Sequence, residues 1–66
     1  MTADHQLECI SSELSAYLVA EAGGNVNSAI RAYNRLLDTC IDAGMDRNDE
    51  PHLWAAPLVS KWLASA

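Results

Sequence analysis

The chain has 66 residues, half of them hydrophobic and one fifth charged, and its formal net charge is −5. This composition excludes an intrinsically disordered chain, which would be less apolar and more highly charged. A protein this short buries only about 60% of the surface that its unfolded chain exposes. We therefore expect residues 1–66 to form a single domain of low stability that gains further burial by forming a homo-oligomer.

The excess of nine acidic over four basic residues argues against nucleic-acid binding, because binders of phosphate backbones present a basic stripe. Here Arg31, Arg35, Arg47 and Lys61 are scattered. No apolar run is long enough to cross a membrane, and the first residues contain neither a basic leader nor a hydrophobic signal core. We expect a cytoplasmic protein that binds neither nucleic acid nor membranes and whose acidic surface suits a basic partner.

The first predicted helix spans residues 5–22. Its apolar residues recur at intervals of three and four, which places them on one helix face. They are Leu7, Ile10, Leu14, Tyr17 and Leu18. Thr2 or Asp4 is positioned to cap this helix, and Gly23 and Gly24 end it because glycine readily adopts the left-handed conformation found at helix ends.

The second predicted helix spans residues 26–43 and has the clearest amphipathic pattern in the chain. The side chain of Asn25 or Asn27 can accept hydrogen bonds from the unpaired backbone N–H groups at the start of this helix. Gly44 ends the helix. Its apolar stripe is wide. The stripe consists of Val26, Ala29, Ile30, Tyr33, Leu36, Leu37, Cys40 and Ile41.

The turn between these helices is short, so they should pack antiparallel. In such a hairpin, residues at equal height have numbers that sum to about 49, which pairs Leu18 with Ile30 and puts Cys9 level with Cys40. A disulfide between Cys9 and Cys40 is geometrically possible and would stabilise the hairpin by roughly 3 to 4 kcal/mol. The reduced state is nevertheless favoured in a cytoplasmic protein.

Residues 45–50 form a polar linker, in which Asp49 is placed to cap a third helix that starts at Pro51 and spans residues 51–65. Pro57 either kinks this helix or restarts it. Together the elements predict an all-α fold, in which an antiparallel helical hairpin and a shorter C-terminal helix form a small three-helix bundle.

The chain offers no recognisable chemistry. His5 and His52 have no Cys, His or carboxylate around them at the spacing of a zinc or di-iron site, and no serine lies in a GxSxG elbow. Carboxylate pairs such as Asp38 and Asp42 lie on a polar, solvated face where nothing would tune their acidity. We expect no enzymatic activity, no metal and no cofactor.

The segment LVAEAGGNVNSAIRAYNRLL, residues 18–37, resembles the boundary between the last two helices of ubiquitin-associated domains, which often reads GGNV followed by Ala and paired leucines. The similarity covers less than a third of the chain, and the Met-Gly-Phe type loop of that family is missing. The same GGN phrase occurs between helices of some bacterial helix-turn-helix domains. Because a glycine stop followed by an asparagine cap is common helix punctuation, neither family is assigned.

These observations favour a small helical protein of bacterial or phage type that binds another protein, as an interaction module or inhibitor. The expected anchor is an apolar strip on the third helix, since Trp is enriched at binding hot spots. It consists of Trp54, Leu58, Trp62 and Leu63. One alternative is an anti-CRISPR-type or DNA-mimic inhibitor that occupies a nucleic-acid-binding site, and another is a helix-turn-helix-like regulator.

Overall fold

The computed structural model describes residues 3–65, which fold into three packed helices: α1 (Ala3–Ala22), α2 (Val26–Asp42) and α3 (Pro51–Ser65). No strand occurs within this range, so the all-α prediction is confirmed. The first cap expected for α1, Thr2, lies outside the described residues. The second, Asp4, is not a cap, because it already lies in the first helical turn.

The turn between α1 and α2 is built on Gly24, whose φ of 71° is in the left-handed region. The N–H of Gly24 donates to the carbonyl of Glu21 over 3.1 Å, and the N–H of Asn25 donates to that of Ala20 over 2.9 Å, a pattern that satisfies the last carbonyls of a helix. Asn25 then caps α2, since its Oδ1 accepts a hydrogen bond from the N–H of Ser28. Gly24 and the Asn25 cap therefore behave as predicted, whereas Gly23 does not adopt the left-handed conformation.

Replacing Gly24 by Ala should destabilise the fold by about 1 kcal/mol, because a Cβ is disfavoured at a left-handed φ. Gly23 provides the matched control. A Cβ there would meet the carbonyl oxygen of Val19 at 3.4 Å, an ordinary contact. Gly23→Ala should consequently leave the urea midpoint unchanged or raise it slightly, and equal losses in both variants would contradict the assignment of the turn.

The hairpin register is visible in a ring contact between the two long helices. The ring centroids of Tyr17 in α1 and Tyr33 in α2 are 5.7 Å apart. Their residue numbers sum to 50, close to the sum of about 49 expected for residues at equal height. The antiparallel arrangement of α1 and α2 therefore follows the sequence prediction closely.

The end of α2 brings in a core residue that the sequence pattern missed. Gly44 has a φ of 111°, and the N–H of Met45 donates to the carbonyl of Cys40 over 2.9 Å. This motif usually brings the residue after the glycine against the last helical turn. Met45 is accordingly buried in the core, whereas the sequence had placed it in a polar linker.

The start of α3 differs from the prediction in its cap. Pro51 is the first helical residue, as expected, but the carbonyl that accepts the bond from the N–H of Trp54 belongs to Glu50. Glu50 therefore occupies the cap position, and the N–H of Asp49 instead closes a turn onto the carbonyl of Asp46. The helix then runs without interruption through Pro57, so the proline does not restart it.

The path of α3 decides which parts of the hairpin are covered. Its first turn places the ring of His52 5.5 Å from that of Tyr17, and near its end Nε1 of Trp62 donates to Oδ1 of Asp4 over 3.2 Å. The third helix thus runs antiparallel to α1, from the level of Tyr17 toward the start of α1. The core lies along this stretch and is formed by Ile10, Leu14, Leu36, Cys40, Met45, Ala55 and Val59.

Candidate functional site

An open apolar groove lies at the turn end of the hairpin, where the last turns of α1 face the first turns of α2. Its volume is about 330 Å³. We call it the tip groove. It is lined by Tyr17, Ala20, Glu21, Gly24, Asn25, Val26, Ala29, Ile30 and Tyr33.

The groove exists because the facing side chains are too small to fill the space between the helices. Ala20, Gly24 and Ala29 carry at most a methyl group, whereas the paired rings of Tyr17 and Tyr33 close the groove at its inner end. Apolar atoms on an unfilled concave surface lack the contacts that a packed core would provide. The groove is therefore a place where a partner's side chains would gain contacts.

Large apolar side chains are exposed at the turn end of the hairpin. Val26 is 68% exposed and Ile30 is 54% exposed, and Leu18 and Val19 of α1 are also exposed at the same end of the hairpin. The amphipathic pattern had assigned Leu18, Val26 and Ile30 to the inside of the bundle. They are exposed because α3 begins at the level of Tyr17 and runs away from the turn.

The charge on the groove is negative. Among the described residues that line it, Glu21 is the one charged side chain. The pKa of the Tyr17 hydroxyl is raised, first by its hydrogen bond to Glu21, then by partial burial, and then by the nearby charges of Glu21, Tyr33 and Glu50. Glu50 also lies 3.7 Å from Nδ1 of His52, measured from Oε2. Two carboxylates therefore act on the inner end of the tip groove.

The arginines of α2 lie on a different surface. Arg31 and Arg35 line a separate depression between α1 and α2, together with Glu13 and small or polar side chains. Oε1 of Glu13 is buried there and has no hydrogen-bond partner among the described atoms. The positive charge of α2 is thus absent from the lining of the tip groove.

The strip expected to bind a partner is divided by the packing of α3. The buried residues of α3 are Pro51, Ala55 and Val59. Because a helix has about 3.6 residues per turn, Leu58 lies on one side of this buried row and Leu63 lies on the other. Leu58 and Leu63 are exposed. Trp54 is half-buried against the core. Trp62 is also half-buried, and its Nε1 donates a hydrogen bond to Asp4. Trp54, Leu58 and Trp62, spaced by four, thus share one side of α3, and Leu63 lies apart from them.

Cys9 and Cys40 are both free thiols. The Sγ of Cys40 is buried and contacts the carbonyl of Pro51 at 4.0 Å, while the Sγ of Cys9 lies 3.9 Å from Nε2 of His5. Burial raises the pKa of the Cys40 thiol to about 11, with a further contribution from the charge of Glu13. Cys40 is therefore a protonated core residue near neutral pH.

Within the described range, no three His, Cys, Asp or Glu side chains come together as metal ligands would. The helices that the structure describes also lack the combination of length and apolarity needed to cross a membrane. No protein-family model, curated protein or solved structure matches this chain.

The sequence could have pointed to the tip groove through residue size. Ala20, Gly24 and Ala29 are small residues on the facing sides of a predicted hairpin, next to exposed β-branched residues. What the sequence lacked was the position of α3, because the same small residues would be buried if the third helix packed over the turn.

Proposed function

We propose that this chain is a non-catalytic protein-binding module that receives apolar side chains of a partner protein in the tip groove. The observation that supports this is the exposure of Val26 and Ile30 beside an unfilled, almost entirely apolar groove. Contiguous exposed apolar surface of this kind typically marks an interaction site. The proposal includes an inhibitory role, in which occupying the partner is itself the activity.

A protein fits this site better than a small molecule does. Pockets that enclose small ligands bury most of the ligand surface, whereas the tip groove is open along one side. Two of the side chains that line it, Val26 and Ile30, are themselves more than half exposed. Side chains projecting from a larger partner can cover both the groove and these two residues, which a compact ligand would leave exposed.

The test uses an amphipathic peptide with leucines on one helical face and glutamines elsewhere. We expect it to shift the amide NMR signals of the tip groove residues, and we expect Ile30→Ser to weaken binding by about tenfold or more, because about 1.5 to 3 kcal/mol of apolar burial is lost. Leu63→Ser is the matched control, since Leu63 is 58% exposed. It should change the affinity by less than about twofold.

Two further outcomes decide against the proposal. Equal binding of a scrambled peptide with the same composition would show unspecific adhesion. A larger loss in Leu63→Ser than in Ile30→Ser would instead place the contact on the strip of Trp54, Leu58, Trp62 and Leu63.

The second candidate function is the DNA-mimic inhibitor, and one observation favours it. Five exposed acidic side chains lie along the end of α2 and the linker, where Arg47 is the one exposed basic side chain. They are Asp38, Asp42, Asp46, Asp49 and Glu50. Binding through such a surface would weaken steeply between about 0.05 and about 0.5 M salt, whereas the neutral peptide's binding to the tip groove should barely respond.

A further inference from the structure

The tip groove combines apolar walls with charge of one sign. Glu21 lies in its lining, the charge of Glu50 reaches Tyr17 at its inner end, and Arg31 and Arg35 line a different depression. Charge complementarity favours a partner of opposite sign and disfavours one of like sign. The occupant should therefore carry positive charge beside its apolar residues.

This distribution argues against a second copy as the occupant. A second copy would bring a chain with the same net charge of −5 against a groove whose charged lining residue is Glu21. Like charges that face each other across an interface are destabilising. A heterologous partner with Lys or Arg avoids this cost.

The backbone of this chain constrains the shape of the occupant. Residues 3–65 form helices and short connections without a strand, so no sheet edge is present there to pair with an extended peptide. An extended segment lying against the apolar wall would leave its backbone N–H and C=O groups without partners. A helix satisfies those groups internally and presents its apolar side chains at intervals of three and four.

We infer that the tip groove binds a basic amphipathic helix of another protein, whose apolar face packs on Val26, Ile30 and Tyr33 and whose Lys or Arg pairs with Glu21. This inference rests on the function proposed above and specifies the chemistry of the partner. The arrangement belongs to the helix-in-groove mode, in which apolar anchors supply affinity and flanking charges select the partner.

The experiment compares three peptides with the same leucine face and with Lys, Gln or Glu at the flanking positions. At low salt, the Lys peptide should bind about fivefold more tightly than the Gln peptide, and the Glu peptide should bind more weakly by a similar factor. Raising the salt from about 0.05 to about 0.5 M should bring the Lys-to-Gln ratio toward one, because exposed charges are screened.

Two variants test whether the Glu21 carboxylate is the charge that favours the Lys peptide. Glu21→Gln should reduce the Lys-to-Gln affinity ratio toward one, and because the measure is a ratio, a general effect on binding cancels. Glu8→Gln changes the net charge equally, at an exposed position that does not line the tip groove. It should keep the ratio of the unaltered protein.

The possible results distinguish the basic helical partner from the more general protein-binding role. Equal affinities for the Lys and Gln peptides would overturn the basic partner while leaving the binding module in place. Failure of all three peptides to bind would overturn both. A dimer in sedimentation analysis that Ile30→Ser dissociates would show that a second copy fills the tip groove, and would likewise overturn the inference.

Discussion

Leu36→Ala should lower the free energy of unfolding by about 2 to 5 kcal/mol, because truncating a buried leucine removes its transfer free energy and leaves a cavity. Leu36 is 0% exposed, and it lies in the core cluster that joins all three helices. A domain of this length has roughly 3 to 10 kcal/mol of stability in total. The substitution should therefore remove a large part of it and lower Tm by more than about 10 °C in circular dichroism melts.

The control is the same chemical change at an exposed position. Leu53 is 65% exposed, so Leu53→Ala should change the stability by less than about 0.5 kcal/mol. Similar melting temperatures for Leu36→Ala and Leu53→Ala would show that the core is not centred between α1, α2 and α3 as described.

The stability of the fold should also fall at alkaline pH through Cys40. Its thiol is buried and its pKa is raised to about 11, mainly by burial. Because the folded pKa is above the unfolded one, the contribution is fully present below about pH 8.5 and is lost as pH rises toward about 11. The loss at the upper end should be about 3 kcal/mol.

Cys40→Ala isolates this contribution. Urea unfolding at about pH 8 and about pH 10.5 should show a steeper loss of stability in the unaltered protein than in Cys40→Ala, whatever the cost of the substitution itself. Cys9→Ala should keep the steep dependence, because Cys9 lies outside the core cluster. Tyr17, whose pKa is also raised, contributes in the same direction in all three proteins. Parallel curves for Cys40→Ala and the unaltered protein would contradict the buried thiol.

Stability and binding should respond to different substitutions. Leu36 belongs to the core and lies outside the lining of the tip groove, whereas Ile30 lines the groove and is absent from the core cluster. Ile30→Ser should leave most of the folding free energy intact while weakening peptide binding by about tenfold or more. A loss of binding in this variant can therefore be interpreted as a local effect once its melting curve is measured.

Local signals were sufficient for the helices and the first turn. The recurrence of apolar residues at three and four, the Gly24 stop, the Asn25 cap and the position of Pro51 at the start of α3 all depend on groups a few residues apart. Such short-range chemistry can be read from sequence, and the structure agrees with it. The cap of α3 was wrong by one residue, because Pro51 makes its immediate predecessor, Glu50, the cap.

The amphipathic pattern could not decide which apolar residues are covered. It placed Val26, Ile30 and Leu36 on one stripe, yet Leu36 is buried and the other two are exposed. The pattern reports the apolar side of a helix, and burial requires a second element at the same height. Met45 shows the converse, since it lies outside any helix and is brought into the core by the turn at Gly44.

The sequence by itself determined that the chain is helical, where the turn between the first two helices lies and that these helices pair antiparallel, because these features depend on neighbouring residues and on one short turn. Only the tertiary structure decided that α3 runs away from the turn. Its docking depends on contacts between residues far apart in the chain, such as that of Trp62 with Asp4. That choice leaves the turn end of the hairpin uncovered and creates the tip groove.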